Sequence, residues 1–195
     1  TVRDAAAYVQ MRPKKYITRF LKQSKTGKKI GWNWSALILS PFWFFYRKIY
    51  KAGALFLGLT LVLITAASIP ASYVATDMKN IVDEYVKITS DMTNAQMMEV
   101  FNSVPADKMT ELTRYAAELM GIFALAMLIP NIFAALTADM FYRKKVVRDV
   151  KALREFAQND HTFGVMLLRR GGVSFFAAVG CLIIFNLFTQ LILYL

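Results

Sequence analysis

The chain has few of the residues that proteins use for catalysis or metal binding. It contains a single cysteine, Cys181, and a single histidine, His161, so it can build neither an internal disulfide nor a cysteine–histidine zinc site. It also lacks a phosphate-cradling glycine loop and an H-E-x-x-H motif. Asp160 precedes His161, but neighbouring residues on a helix do not face each other, and no nucleophile completes a triad. We predict no enzyme, no catalytic residue, no cofactor and no metal site, with His161 in a loop.

Charged residues are absent from three long apolar stretches, 52–76, 119–138 and 171–195. Because an α-helix rises about 1.5 Å per residue, ~20 apolar residues are enough to cross the roughly 30 Å hydrocarbon core of a bilayer. Of the 195 residues, 56% are hydrophobic and only 19% are charged, which is less charge than a soluble domain of this size carries. The sequence predicts a single all-α membrane domain, 1–195, built as an integral membrane helical bundle with three transmembrane helices.

The net charge of +11 is distributed unevenly among the segments that flank these stretches. Residues 1–51 hold twelve basic residues against one acidic residue, residues 77–118 hold four against eight, and residues 139–170 hold eight against four. Lysine and arginine close to membrane ends stay in the cytoplasm, so the N-terminus and 139–170 are predicted inside and 77–118 outside. A nucleic-acid-binding protein would concentrate its basic residues on one soluble face, so we predict no nucleic-acid partner.

The acidic segment 77–118 is predicted to form a helical cap outside the membrane. Thr93 and Gln96 have the spacing of a capping box, which marks the start of a helix. Pro105 suits the first position of the following helix, which would continue into the second span.

A fourth uncharged stretch, 30–46, is too short to cross a bilayer and contains Pro41. Basic residues flank it on both sides, which favours both ends on the cytoplasmic face. We predict an interfacial or re-entrant element over 30–50, and the alternative is a buried helix packed on the bundle. Aromatic rings that carry one polar atom suit the headgroup region. The residues assigned to that region are Trp32, Trp34, Trp43 and Tyr46.

Two basic amphipathic helices are predicted at the cytoplasmic surface. Apolar residues recur at near-helical spacing over 4–23, where Pro13 is expected to break or kink the helix, and again over 141–158. Basic clusters beside a membrane attract anionic lipid by ~1 kcal/mol per residue, although the same charges can serve only to orient the chain. The side chains predicted to face lipid or a partner are Arg12, Lys14, Lys15, Arg19, Lys28, Lys29, Arg47, Lys48, Arg143, Lys144, Lys145 and Arg148.

Polar side chains inside the predicted spans are few, and none at a span centre is ionisable. A proton relay or a charge-coupled transporter therefore lacks its usual groups. The predicted intramembrane polar residues are Asn131, Asn186 and Gln190. Such amides join helices through hydrogen bonds worth on the order of 0.6 kcal/mol each, or they line the polar site of a small transporter or accessory channel subunit.

Residues 32–50 read W-N-W-S-A-L-I-L-S-P-F-W-F-F-Y-R-K-I-Y, an aromatic run around a proline that ends in Y-R-K-x-Y. Together with residues 16–20 and 138–150, this pattern resembles the hallmark of the DUF2628 family of uncharacterised bacterial membrane proteins. Asp139 stands where that family usually has asparagine, and we expect no counterpart within residues 1–195 of the N-terminal zinc ribbon that some relatives carry. The resemblance implies a membrane protein and implies no activity.

The sequence thus predicts a non-enzymatic protein of the bacterial inner membrane whose basic cytoplasmic surfaces interact with anionic lipid. A protein partner or a second copy of the chain is the alternative occupant of these surfaces. A small transporter or accessory channel subunit is the alternative function.

Overall fold

The computed structural model describes residues 1–86 and 92–194, and within these ranges every regular element is an α-helix. In chain order the helices are α1 (Val2–Val9), α2 (Pro13–Thr26), α3 (Trp34–Leu39), α4 (Phe42–Tyr46), α5 (Tyr50–Tyr85), α6 (Asn94–Ser103), α7 (Ala106–Phe156), α8 (Asp160–Arg170) and α9 (Phe175–Tyr194). The predicted all-α fold is confirmed. The predicted cap 77–118 includes residues 87–91, and the predicted span 171–195 ends at Leu195; these positions lie outside the described ranges.

Three helical segments are long and apolar enough to cross a membrane, which confirms the predicted number of spans. They are Tyr50–Tyr85, Ala106–Phe156 and Asp160–Ile192, the last of which comprises α8 and most of α9. Most residues in the apolar part of each segment are not buried inside the protein. A surface of this composition avoids water, and lipid is the solvent that suits it.

The chain divides into two compact units. The first contains residues 1–61 and 129–195, and the second contains residues 62–128. In the second unit, α6 begins with the predicted capping box: Gln96 N donates to Thr93 Oγ1 at 3.4 Å, and Thr93 N donates to Gln96 Oε1 at 2.9 Å. The next helix, α7, begins directly after Pro105, as the sequence predicts.

The N-terminal region forms two helices rather than one kinked helix. Pro13 is the first residue of α2, where its missing N–H has no helical partner to lose. The chain reverses between the helices through Gln10 and Arg12, whose φ angles are 55° and 56°. The predicted interruption at Pro13 is therefore confirmed, and it is complete.

The aromatic stretch folds into the short helices α3 and α4, with a cis peptide bond between Ser40 and Pro41. Trp34 on α3 is 63% exposed, which fits the predicted interfacial element. Trp43 on α4 is only 3% exposed and lies 6.0 Å from the ring of Tyr142, so its predicted place in the headgroup region is wrong. The reason is that α4 packs its aromatic side into the core of the first unit, as the buried-helix alternative expected.

The core of the first unit is built on one face of α7. Its members Ala134, Ala138, Tyr142 and Val146 recur every four residues and are fully buried. The small alanines let the chain before α3 approach closely, so that Gly31 N donates to the carbonyl of Leu136 at 3.0 Å. This contact brings the loop after α2 against the end of the second apolar run.

His161 lies in α8 and not in the predicted loop. Asn159 caps this helix by accepting a hydrogen bond from the backbone N–H of Thr162 at 2.8 Å. Phe163 and Leu167, four residues apart, bury the inner side of the helix, while His161 is exposed.

Candidate functional site

Asp139 is the centre of a buried polar cluster in the first unit. This carboxylate directly follows a long apolar run and is only 2% exposed. Its Oδ2 accepts a hydrogen bond from Arg19 Nη1 at 2.7 Å, and its Oδ1 accepts one from Asn33 Nδ2 at 2.7 Å. Asn33 also caps α3, because its Oδ1 accepts from the backbone N–H of Ser35 at 3.1 Å. We call Arg19, Asn33 and Asp139 the Asp139 cluster. It joins α2, α3 and α7 through charge-assisted hydrogen bonds.

Asn33 and the role of Asp139 were missed by reasoning from the sequence alone. One local signal could have found each of them. An asparagine directly before the apolar helix of residues 34–39 is the residue type preferred at a helix start. A carboxylate directly after a stretch of uncharged residues needs a polar partner wherever other segments of the chain bury it.

Two cavities lie on either side of Gln23. The first, which we call the Asp139 cavity, has a volume of about 330 Å³ and is lined in part by Arg19, Lys22, Gln23, Lys28, Trp32 and Asp139. The second, which we call the Arg143 cavity, has a volume of about 360 Å³ and is lined in part by Gln23, Lys29, Met140, Arg143, Lys144 and Arg148. The two basic stretches that the sequence places far apart are therefore brought together at the junction of α2 and α7.

Positive charge exceeds negative charge around these cavities. Arg19 is paired with Asp139, and Arg148 is paired with Asp149. Within residues 1–86 and 92–194, no acidic partner lies within ion-pair distance of the remaining basic groups. These groups are Lys22, Lys28, Lys29, Arg143 and Lys144. An anion is the ligand that such a surface favours.

Lys15, on α2 one turn before Arg19, has a pKa that is affected by the same crowding of cations. Burial lowers the pKa of its ammonium group, and the positive charges of Arg19 and Arg12 lower that pKa further. Asp139 opposes this change but does not cancel it. Lys14 on α2 and Arg12 directly before this helix are exposed, and their role of facing lipid or a partner stays a prediction.

A second polar cluster joins α1 to α7. Tyr8 donates a hydrogen bond to Asp149 Oδ2 at 2.5 Å, Lys145 Nζ lies 2.7 Å from the same oxygen, and Lys145 also contacts the Tyr8 hydroxyl. Burial and the bond to Asp149 raise the pKa of Tyr8, so this hydroxyl stays a donor. The Lys145 side chain is only 10% exposed, and its predicted role of facing lipid or a partner is therefore corrected.

Replacement of Tyr8 by phenylalanine tests this cluster. The variant keeps the ring and removes the donor to a charged carboxylate, so we expect the free energy of unfolding to fall by about 2 kcal/mol. Thermal unfolding in detergent, followed by tryptophan fluorescence, measures the change. Tyr73→Phe, at an exposed hydroxyl on α5, is the control and should leave the transition unchanged. Equal transitions for Tyr8→Phe and the control would contradict a stabilising role.

Arg47 and Lys48 also have structural partners instead of the predicted lipid-facing positions. Arg47 is 4% exposed, and its guanidinium lies 4.4 Å from the ring centre of Tyr16 and 5.2 Å from that of Tyr142. Lys48 Nζ donates to the carbonyl of Gly171 at 2.6 Å, where a cation stabilises the C-terminal end of α8. Arg47 and Lys48 directly follow α4, which packs against α9 and places Trp43 against Tyr142 of α7, so both side chains meet partners inside the first unit.

The predicted intramembrane polar residues do not form a hydrogen-bonded site. Asn131 on α7 is half-buried, whereas Asn186 and Gln190 are exposed on α9. Among the residues that the structure describes, no hydrogen bond joins Asn131 to either of the other two. Nor do three or more histidine, cysteine, aspartate or glutamate side chains gather as a metal site in that part of the chain.

Three apolar helices that can cross a membrane, with a basic polar junction beside one of them, place the chain among helical membrane proteins. A family model described as "Protein of unknown function (DUF2628)" matches residues 7–148, and the chain belongs to this family, as the resemblance of residues 16–20, 32–50 and 138–150 predicts. The matched region includes the Asp139 cluster and every residue that lines the two cavities. No curated protein and no solved structure matches the chain.

Proposed function

We propose that this chain is a non-enzymatic protein of the bacterial cytoplasmic membrane that binds anionic phospholipid at the junction of α2 and α7. The observation that carries the proposal is the meeting of Lys29, Arg143 and Lys144 at the Arg143 cavity, with no acidic partner among the described residues. Met140, which lines this cavity, lies two residues after the uncharged run 119–138. Each basic residue near an anionic membrane surface contributes about 1 kcal/mol of attraction.

The proposed orientation has the N-terminus and residues 139–170 in the cytoplasm. Residues 1–51 hold twelve basic residues and one acidic residue, whereas residues 77–118 hold four basic and eight acidic residues. Such an asymmetry is typical of chains whose basic segments remain inside. The cytoplasmic leaflet also carries the anionic headgroups that the basic junction would meet. An acidic protein could use the same surface, so the test uses purified lipids without protein.

Removal of three charges from the Arg143 cavity should remove the preference for phosphatidylglycerol over phosphatidylcholine. We expect Lys29→Gln, Arg143→Gln and Lys144→Gln together to weaken the binding of phosphatidylglycerol at least ~10-fold, because three attractions of ~1 kcal/mol each are lost. Native mass spectrometry of the protein in mixed micelles of phosphatidylglycerol and phosphatidylcholine measures the bound fraction of each lipid. Added salt should weaken wild-type binding in the same direction. Lys145 is left unchanged because it contacts Tyr8 and Asp149 in the polar cluster between α1 and α7.

The matched control removes equal charge elsewhere. Lys25, Lys151 and Arg169 are exposed and do not line either cavity. Their replacement by glutamine should leave the preference for phosphatidylglycerol within about twofold of the wild-type preference. The proposal is wrong if the wild-type protein does not prefer phosphatidylglycerol over phosphatidylcholine, or if the two triple variants lose that preference equally.

A further inference from the structure

We infer that the Asp139 cavity is a separate binding site for the phosphomonoester headgroup of a lipid. This inference deepens the proposed function, because it names a lipid class and assigns it to side chains other than those of the Arg143 cavity. The volume of about 330 Å³ lies within the range of ~300–1,000 Å³ that ligand sites occupy.

The charge of the cavity favours a dianion. Arg19, Lys22 and Lys28 supply three positive charges, and Asp139 supplies one negative charge. Both Asp139 oxygens already accept hydrogen bonds from Arg19 and Asn33, so the lysines gain no acidic partner from the cavity wall. The resulting excess is two positive charges. A phosphomonoester carries nearly two negative charges at neutral pH, whereas a phosphodiester headgroup carries one.

The floor of the cavity is held in place before any ligand arrives. Arg19 is fixed by its 2.7 Å bond to Asp139, which is fixed in turn by Asn33 at the start of α3. Gln23 is buried, and Gly31 is hydrogen-bonded to the carbonyl of Leu136. A site whose floor is already ordered binds its ligand at a smaller cost of ordering, which here falls on the exposed side chains of Lys22 and Lys28.

The rim of the cavity is apolar, which favours a lipid over a soluble phosphate. Ile30 and Trp32 line the cavity and are exposed, and Trp34 packs edge-on against Trp32 at a ring distance of 5.2 Å. Ile38, one turn further along α3, is also exposed. Tryptophan is the residue that proteins place at the level of lipid headgroups. A lipid whose phosphate is held by Lys22 and Lys28 would thus have its hydrocarbon part beside the apolar side chains of the rim.

The test compares three lipids and two variants of the full chain in detergent. We expect wild-type protein to bind phosphatidic acid, a phosphomonoester, about fivefold more tightly than phosphatidylglycerol, because a second charge pairs with a second lysine. Replacing Lys22 and Lys28 by glutamine should remove this difference and keep the preference for phosphatidylglycerol over phosphatidylcholine. Both side chains are exposed, so the fold should tolerate the change. The control Lys14→Gln with Lys25→Gln removes two exposed charges of α2 that line neither cavity.

Each failure can be told apart. The inference would be overturned if wild-type protein bound phosphatidic acid and phosphatidylglycerol equally, or if the difference survived the loss of Lys22 and Lys28. The proposed function would not be affected by either result, because the triple variant of the Arg143 cavity tests it separately. Loss of the preference for phosphatidylglycerol over phosphatidylcholine in the Arg143-cavity variant, with the difference between phosphatidic acid and phosphatidylglycerol kept, would support two separate sites. Competition by glycerol 3-phosphate or inorganic phosphate as strongly as by phosphatidic acid would overturn the lipid as the source of the phosphate.

Discussion

Replacement of Asp139 by alanine is expected to lower the free energy of unfolding by about 3 kcal/mol, because it leaves two donors without their acceptor. The Asn33 amide is fully buried, and its Nδ2 has Asp139 as its partner at 2.7 Å. Arg19 would keep a partly buried positive charge with no counter-charge in this cluster. Thermal unfolding in detergent, followed by tryptophan fluorescence, measures the loss.

The variant Asp139→Asn separates the charge from the hydrogen bond. Asparagine has the same shape and keeps an oxygen that can accept from Asn33, so we expect a smaller loss of about 1 kcal/mol. Asparagine is also the residue that the family resemblance places at this position. Arg19 loses its ion pair in both variants, so the difference between them reports the oxygen that accepts from Asn33 together with the volume of the side chain. Unfolding transitions that coincide for alanine, asparagine and wild type would contradict a stabilising role of the Asp139 cluster.

The helices long enough to span a membrane and their number follow from the sequence, because lipid imposes a simple rule on the chain. A segment in hydrocarbon must satisfy every backbone N–H and C=O within itself, so an uncharged run of about 20 residues is expected to form a helix. The runs 52–76 and 119–138 accordingly lie inside α5 and α7, and 175–194 forms α9. The capping box at Thr93 was also predictable, because a cap depends on residues three positions apart.

The burial of single side chains could not be predicted, because it depends on contacts between residues far apart in the chain. Arg47 and Lys48 both follow an aromatic run and look alike as surface cations. In the structure the guanidinium of Arg47 stacks on Tyr16 and Tyr142, and the ammonium group of Lys48 binds the turn at Gly171. The same reason explains Lys145, whose neighbours Arg143 and Lys144 line a cavity while its own ammonium group contacts Tyr8 on α1.

The basic residues of the candidate site could be predicted from the sequence, but their meeting in one cavity could not. The sequence indicates which basic residues flank the membrane, since their density near apolar runs is a local property. It does not indicate that Lys29 and Arg143 line one cavity, because that requires the loop after α2 to lie on the alanine face of α7. Close approach of this kind depends on the small side chains at 134, 135 and 138, whose effect is visible only once the partner segment is known.

Replacement of Gly171 by alanine is expected to destabilise the first unit by about 3 kcal/mol, at the upper end of what overpacking costs. A methyl group there would lie 2.2 Å from the carbonyl oxygen of Tyr8 and 2.7 Å from that of Leu167. Both neighbours are backbone atoms, so no side-chain rotation relieves the contact. The Tyr8 carbonyl also accepts a hydrogen bond from Gly172 N at 2.8 Å, and α1 cannot move away without breaking that bond.

Gly164→Ala is the matched control, because Gly164 lies in α8, seven residues before Gly171, and a methyl group there meets no atom within 4 Å. Alanine favours a helix over glycine by about 1 kcal/mol, so this variant should unfold at the same temperature as wild type or above it. Opposite shifts for the same chemical change would locate the effect in the contact between α1 and the turn after α8. If Gly171→Ala unfolds with the wild-type transition, the turn is not packed against Tyr8 as the structure has it, and the positions of Tyr8 and Asp149 relative to each other would have to be revised with it.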